Sequence, residues 1–460
     1  LVEFSDVKFS VNNPKEAFEQ MFNNDEQKDL GNGNNYNNSS VGKYFRDMSN
    51  GNFSPEFKVY GPVTLDKPET YYGGKKEDDN SDENPRQLVK DALKLVESYV
   101  TQSDLESFSC SDGNTLDCVY VVYAGLGQND GGAGSAIWAN TWTTDGATLC
   151  GKNVRWYTMS GELCPLKLNE TGSKPAITGI GVPCHEFSHS LGLPDIYPTA
   201  AAAKIDNQNM EYWDIMDGGE YTYNGFRPTA YTAFEKEQME WPVDIKALDC
   251  DASISMTTST EQHGTAYKIV NPDNRLEYFM LECIQRKGWN KYIFGNGLLV
   301  YHVNMPNNTL MINTKLNNVA GYPGMAVVPA DGACLSSYIE ANSPQYFNSQ
   351  CGDLFPGTGN VANLNVTELS DSKTLPNFCW YNTDKTERLK TNKALRNIKY
   401  ENGALTFDYV KDVASSILPI IGGTQATYGK VYSINGTFLG YDFSTLPHGI
   451  YIKDGQKIVK

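Results

Sequence analysis

The chain has 460 residues, 40% of them hydrophobic and 12% aromatic, and carries a formal charge of −17. That length admits two or three domains with sizeable cores. The charge argues against nucleic acid or an anionic membrane as partner, and no apolar run approaches the ~20 residues that span a bilayer.

The charge suits a soluble protein acting outside the cell or at its surface, and the surplus carboxylates make calcium a candidate cofactor. Residues 1–10 alternate apolar and polar enough for a strand, and 1–6 read as a strand already under way rather than a leader. No initiator Met is present, so an N-terminal stretch is expected to have been removed. Residues 14–22 form a short helix. The stretch 31–40 is a polar, Asn-rich loop whose last residue, Ser40, caps the next helix; that helix carries Tyr44, Phe45 and Met48 and stops at Asn50-Gly51. Residues 57–65 read as a strand and 66–84 as a charged surface loop. Pro85 then opens a long helix in which Leu88, Val89, Ala92, Leu93, Val96 and Tyr99 recur at helical spacing, a buried stripe that backs a sheet. The loop 107–117 holds Ser111, Asp112, Gly113 and Asn114 between Cys110 and Cys118. Its low carboxylate count sets calcium against a Cys110–Cys118 disulfide as the clamp. Ten cysteines without a C-x-x-C pair favour several disulfides; spacing picks out Cys110–Cys118, Cys150–Cys164 and Cys334–Cys351. Residues 118–124, β-branched and aromatic throughout, predict a central strand.

The segment from His185 to Asp195 reads H-E-x-x-H-x-x-G-x-x-D. On a helix, His185 and His189 lie one turn apart on one face and aim two imidazoles at one point. A catalytic zinc needs three protein ligands and one open position. Gly192 tolerates the left-handed conformation that ends a helix, so the chain turns back and Asp195 brings a third donor. Glu186 is badly placed to ligate beside the two histidines and free to act as general base on water at the metal. Phe187 and Leu191 point away from the ligands into the core. A helix with two surface histidines and a glycine stop is the plain alternative.

This pattern, with aspartate in its last place, resembles the immune-inhibitor-A-like family of zinc metallopeptidases, relatives of the metzincins. The resemblance implies zinc bound by His185, His189 and Asp195, with Glu186 as the base. The segments 41–47, 61–65, 297–304 and 352–357 are similar to stretches of the same family, and the likeness covers residues 1–410. It implies an edge strand above the motif helix that pairs with extended substrate; residues 133–142 are the candidate, with Trp138 and Trp142 covering the core as the alternative. Met216, in a tight turn closed by Gly218-Gly219, resembles the Met-turn of metzincins, an apolar floor beneath the metal. Tyr221 and Tyr223 are candidates for stabilising an oxyanion, although neither sits at the usual metzincin tyrosine offset.

Residues 228–241 read as a closing helix. From about 250 the texture changes to short strands, and His263 and His302 read as hydrogen-bonded structural histidines. The fold class is α+β: a metzincin-like catalytic domain over 1–245, a twisted mixed sheet with a backing and a zinc-binding helix, fused to a β-rich subdomain over 246–410. Residues 411–425 are a linker, and 411–460 close the chain with a β-hairpin tail similar to C-terminal sorting segments of secreted Bacteroidetes proteins. The functional reading is a monomeric, secreted or cell-surface zinc endopeptidase acting on protein or peptide. The alternative is a secreted binding protein whose β-rich domain recognises glycan or host protein.

Overall fold

The structure is a computed structural model. It describes all residues except 29–35, 76–80, 166–175, 206–207, 337–343, 358–366, 374, 414–430, 441–445 and 454–455. The loop segment 31–35 and most of the expected linker 411–425 lie outside the described residues. The architecture is mixed α/β. A central sheet runs in the order β2 (Val63–Thr64), β1 (Val2–Glu3), β3 (Thr115–Leu126), β6 (Lys152–Cys164), β4 (Asn140–Thr143), and β5 (Thr148–Leu149) and β7 (Ala176–Ile177) also pair with β6. β1, β2, β3 and β6 are parallel; β4, β5 and β7 join β6 antiparallel.

β3 sits inside the sheet, and its alternation sends side chains into two cores. Val121 and Tyr123 face the backing helix Pro85–Val96, where they meet Leu88, Val89 and Leu93. Tyr120 and Val122 face the other way, toward the helices Pro14–Asn23 and Val41–Met48 and the motif helix Gly181–Ser190. Pro85 is in the first turn as expected, but the helix ends at Val96 in a 3-10 turn. Tyr99 is 59% exposed and not part of the buried stripe. Ser40 caps its helix by accepting from Lys43 N.

The second half is two sheets. One runs β13 (Met325–Val327), β12 (Gly297–Asn304), β11 (Glu277–Ile284), β10 (Ala266–Val270), β8 (Ile245–Ala247). The other pairs β9 (Ala252–Met256) with Ala404–Val410, Ala394–Glu401 and Leu369–Ser370. β11 and β12 are buried on both faces. Tyr278, Met280, Leu299 and Tyr301 enter the same core as the motif helix. Phe279, Leu281, Leu298 and Val300 enter a core shared with β9 and the strands Ala394–Glu401 and Ala404–Val410. The five-stranded sheet is therefore a common wall. In that wall His302 Nε2 lies 3.0 Å from Glu277 Oε1. The tail forms a four-stranded antiparallel sheet rather than a single hairpin. Among the described residues, no helix is long and apolar enough to cross a membrane.

Several sequence expectations are corrected. The strands expected over 1–10 and 57–65 shrink to two residues each. The closing helix is only Ala233–Gln238, because Thr232 and Glu235 form a capping box that starts it late. No disulfide is formed among the described residues. Cys150 lies just before the 13-residue β6 and Cys164 is its last residue, so at ~3.3 Å per residue the strand holds them far beyond disulfide reach. Cys118 Sγ lies 3.5 Å from Thr158 Oγ1, not on Cys110, and Cys334 Sγ accepts from Asn377 Nδ2. Nor does the loop after Cys110 offer calcium a site. Asp112 already accepts from Asn114 N, Thr115 N and Thr115 Oγ1, and Lys152 Nζ sits 2.8 Å from Gly113 O.

Phe279 packs against Phe378 and Trp380 with ring centroids 4.8 and 4.6 Å apart. Its replacement by alanine is expected to cost about 3–5 kcal/mol in denaturant unfolding; a loss below about 1 kcal/mol would show that this face of the wall is not a packed core.

Candidate metal centre

The motif helix is built for close approach at its start. An added Cβ on Gly181 would lie 1.9 Å from Glu220 O, and one on Gly179 would lie 2.1 Å from Gly225 C. Glycine at both positions lets the helix press directly on the loop 218–225. Asn37 supports the same end, accepting from Ile180 N and donating to Thr178 O. At the other end Gly192 has φ +107, with open space where a side chain would go. Its role is conformational. Leu193 N bonds to Ser188 O and Gly192 N to His189 O, the two bonds of a Schellman stop.

That stop positions a ligand. His189 Nδ1 is 2.7 Å from Leu193 O, and His185 Nδ1 is 2.7 Å from Ile215 O. A carbonyl only accepts, so each Nδ1 carries its proton and each Nε2 of the neutral ring presents a lone pair. Asp195 Oδ1 lies 3.1 Å from His189 Nε2 and 3.5 Å from His185 Nε2. The three donor atoms lie within 4.8 Å of one another. A tetrahedral ion with arms of about 2.0–2.2 Å has ligand–ligand edges of about 3.3–3.6 Å, close to both measured separations. Asp195 Oδ1 is also buried without a hydrogen-bond partner. Three buried acceptors facing one point fit a divalent cation.

The electrostatics agree. Burial lowers the pKa of His185, but Glu220, Asp195 and Glu186 outweigh it and raise the group to about 10. His189 is likewise raised by Asp195 against its burial. Burial raises Asp195, yet the two histidines hold it well below the usual carboxylate range. A pocket that draws in positive charge this strongly retains a proton when empty and a metal ion when supplied. Glu186 is raised by burial, against the pull of His189 and His185.

The structure thus brings His185, Glu186, His189 and Asp195 together. Met216 is fully buried in the core with Cys184, Leu193 and Ile196, and its carbonyl accepts from Ile196 N. Tyr221 reaches the group only indirectly, bonding to Glu220 and Asn129. Tyr223 does not join it; its ring stacks on Tyr292 at 3.9 Å. Of the span 133–142 only 140–142 are strand, as part of β4, which lies at the sheet edge beside the motif helix. Trp138 and Trp142 are 45% and 40% exposed, so they do not cover the core. Sequence reasoning missed three neighbours. Thr141 bonds Glu186, Tyr197 stacks over His185 and bonds Asp195, and Glu220 Oε2 lies 3.8 Å from His185 Nδ1. Tyr197 stands two positions past Asp195 and was open to notice; the other two come from segments that only folding brings near.

A helix-borne histidine pair, an intervening glutamate and a carboxylate returned by a glycine turn define the catalytic domain of a metallopeptidase. The family model described as "Immune inhibitor A peptidase M6, catalytic domain" matches residues 1–244, and the chain belongs to that family. Immune inhibitor A of Bacillus thuringiensis subsp. alesti is 28% identical over 269 residues, which cover 52% of this chain and 38% of the relative. The pre-pro-metalloprotease PrtV of Vibrio cholerae serotype O1 is 25% identical over 226 residues, 44% of this chain and 23% of the relative. The matched part of the chain thus spans well under half the length of these relatives.

Beneath the centre, Asp214 Oδ1 accepts from Met216 N, and its carboxyl lies against that of Glu235, with Asp214 Oδ2 and Glu235 Oε1 each buried and lacking a donor. Two carboxyls in contact need one proton between them. Burial, then Glu235, raises the pKa of Asp214 well above its ordinary value. The folded state therefore keeps a proton that the unfolded chain releases above about pH 4. This stabilises most at low pH and is lost as pH rises through the folded value. Asp214→Asn keeps the acceptor for Met216 N and supplies a donor to Glu235. It is expected to flatten the alkaline fall of Tm with pH; an unchanged slope would refute the shared proton.

Proposed function

We propose that the chain is a zinc-dependent endopeptidase, with His185, His189 and Asp195 holding the ion and Glu186 as general base. The observation that carries this reading is the convergence of three buried acceptors beside a fourth, unligated carboxylate. Zinc bound there supplies Lewis acidity that polarises a peptide carbonyl and acidifies a water. Glu186 takes a proton from the attacking water and delivers it to the departing amine nitrogen. Its raised pKa suits both halves of that transfer. Met216 closes the floor of the site in the manner of a metzincin Met-turn.

β4 gives the substrate a place. One side of it is hydrogen-bonded to β6 and the other forms the edge of the sheet. An extended peptide adds to such an edge through its main chain, which favours protein substrates over small esters or amides. We place its action outside the cell, in keeping with the acidic charge.

Glu186→Ala is expected to fold, to retain one zinc per chain, and to lose cleavage of a peptide library by about 10²–10⁴-fold. The wild-type chain is expected to lose cleavage in chelator and regain it with zinc. Normal turnover in the alanine variant removes Glu186 as base, and turnover indifferent to chelator removes the metal.

A further inference from the structure

The edge strand does more than border the site, because it places a buried hydroxyl on the general base. Thr141, in the middle of β4, is 6% exposed. Its Oγ1 lies 2.6 Å from the main-chain oxygen of Glu186 and 3.0 Å from Glu186 Oε2. A threonine hydroxyl has one proton, so its direction must be settled by a neighbour. Thr158 stands directly opposite on β6, with its Oγ1 3.1 Å from that of Thr141. Beyond it, Cys118 Sγ lies 3.5 Å from Thr158 Oγ1. Glu186 offers only acceptors to Thr141 when ionised. Both Glu186 oxygens at the end of this row only accept, so the single Thr141 proton is shared between the main-chain oxygen and Oε2, and Thr158 is left to donate to Thr141. A hydrogen bond to a carboxylate in such a dry setting is strong and directional.

We propose that Thr141 is a positioning residue for Glu186, fixing one carboxylate oxygen and leaving the other for the water, so that the strand receiving the substrate also sets the direction of the base. The inference rests on Glu186 being the base. It gives β4 a second role, because peptide pairing along the open edge steadies the strand that carries Thr141. The orientation of the base is then tied to occupancy of the strand.

Thr141→Val removes the hydroxyl at nearly constant shape, and Thr141→Ser keeps it. The valine variant is expected to lose about ten- to a hundredfold in kcat, as for a hydrogen bond to a charged group. Its KM is expected to stay within about twofold, since substrate binding is not what the bond serves. Zinc affinity, read by chelator competition, stays unchanged, and the serine variant recovers most of the turnover. In a Glu186→Ala background, Thr141→Val adds no further loss, because the group it orients is gone. Unchanged kcat in Thr141→Val overturns the proposal. So does a serine variant as slow as valine, or a zinc affinity that falls in step with kcat. If the valine chain does not fold, Thr158→Val takes its place. There, loss of the partner that directs the proton lowers kcat with KM held, and unchanged kcat refutes the row. Full activity of Glu186→Ala alone would instead sink the underlying assignment of the base.

Discussion

Two hydrogen bonds govern this site. His185 and His189 each give the Nδ1 proton to a main-chain oxygen, of Ile215 and of Leu193. Those bonds choose the tautomer, fix the ring planes and leave both Nε2 lone pairs on Asp195 Oδ1. Neither carbonyl is on the helix that carries the rings. One belongs to the helix stop at Gly192, the other to the turn that Asp214 organises through Met216 N. The candidate metal centre is thus assembled at a junction of three short segments, and its two imidazoles are aimed by backbone carbonyls.

The motif was legible because its parts are local. Helical spacing placed the two rings, and a glycine with φ +107 returned the aspartate. The central strand and the backing helix were legible for a similar reason, since Leu116 to Ala124 and Leu88 to Leu93 carry their own periodicity. What the sequence hid depends on distance along the chain. Thr141 meets Glu186 across 45 positions, and nothing in the neighbourhood of either residue announces the other. The disulfide expectation failed in the same way: closeness in number put Cys150 beside Cys164, while the length of β6 holds them apart. The calcium expectation failed because Asp112 is already spent on its own turn.

The glycines at 179 and 181 show how tightly the centre is tied to the loop behind it. Both would drive a Cβ into the backbone of 220–225. The start of the motif helix and the carbonyl-bearing turn therefore meet main chain to main chain. Side-chain packing leaves some play between elements, but contacts of this kind do not. The directional demands of the donor set are met by removing side chains where the segments touch.

The wall formed by β11 and β12 separates two boundaries that are easily taken for one. The match to the family's catalytic-domain model ends at residue 244, yet Tyr278, Met280, Leu299 and Tyr301 fill the core on which the motif helix rests. A fragment cut where the likeness stops would carry every residue of the metal centre and still bare an apolar face to water, inviting self-association. In this chain the matched segment and the packed core end at different places.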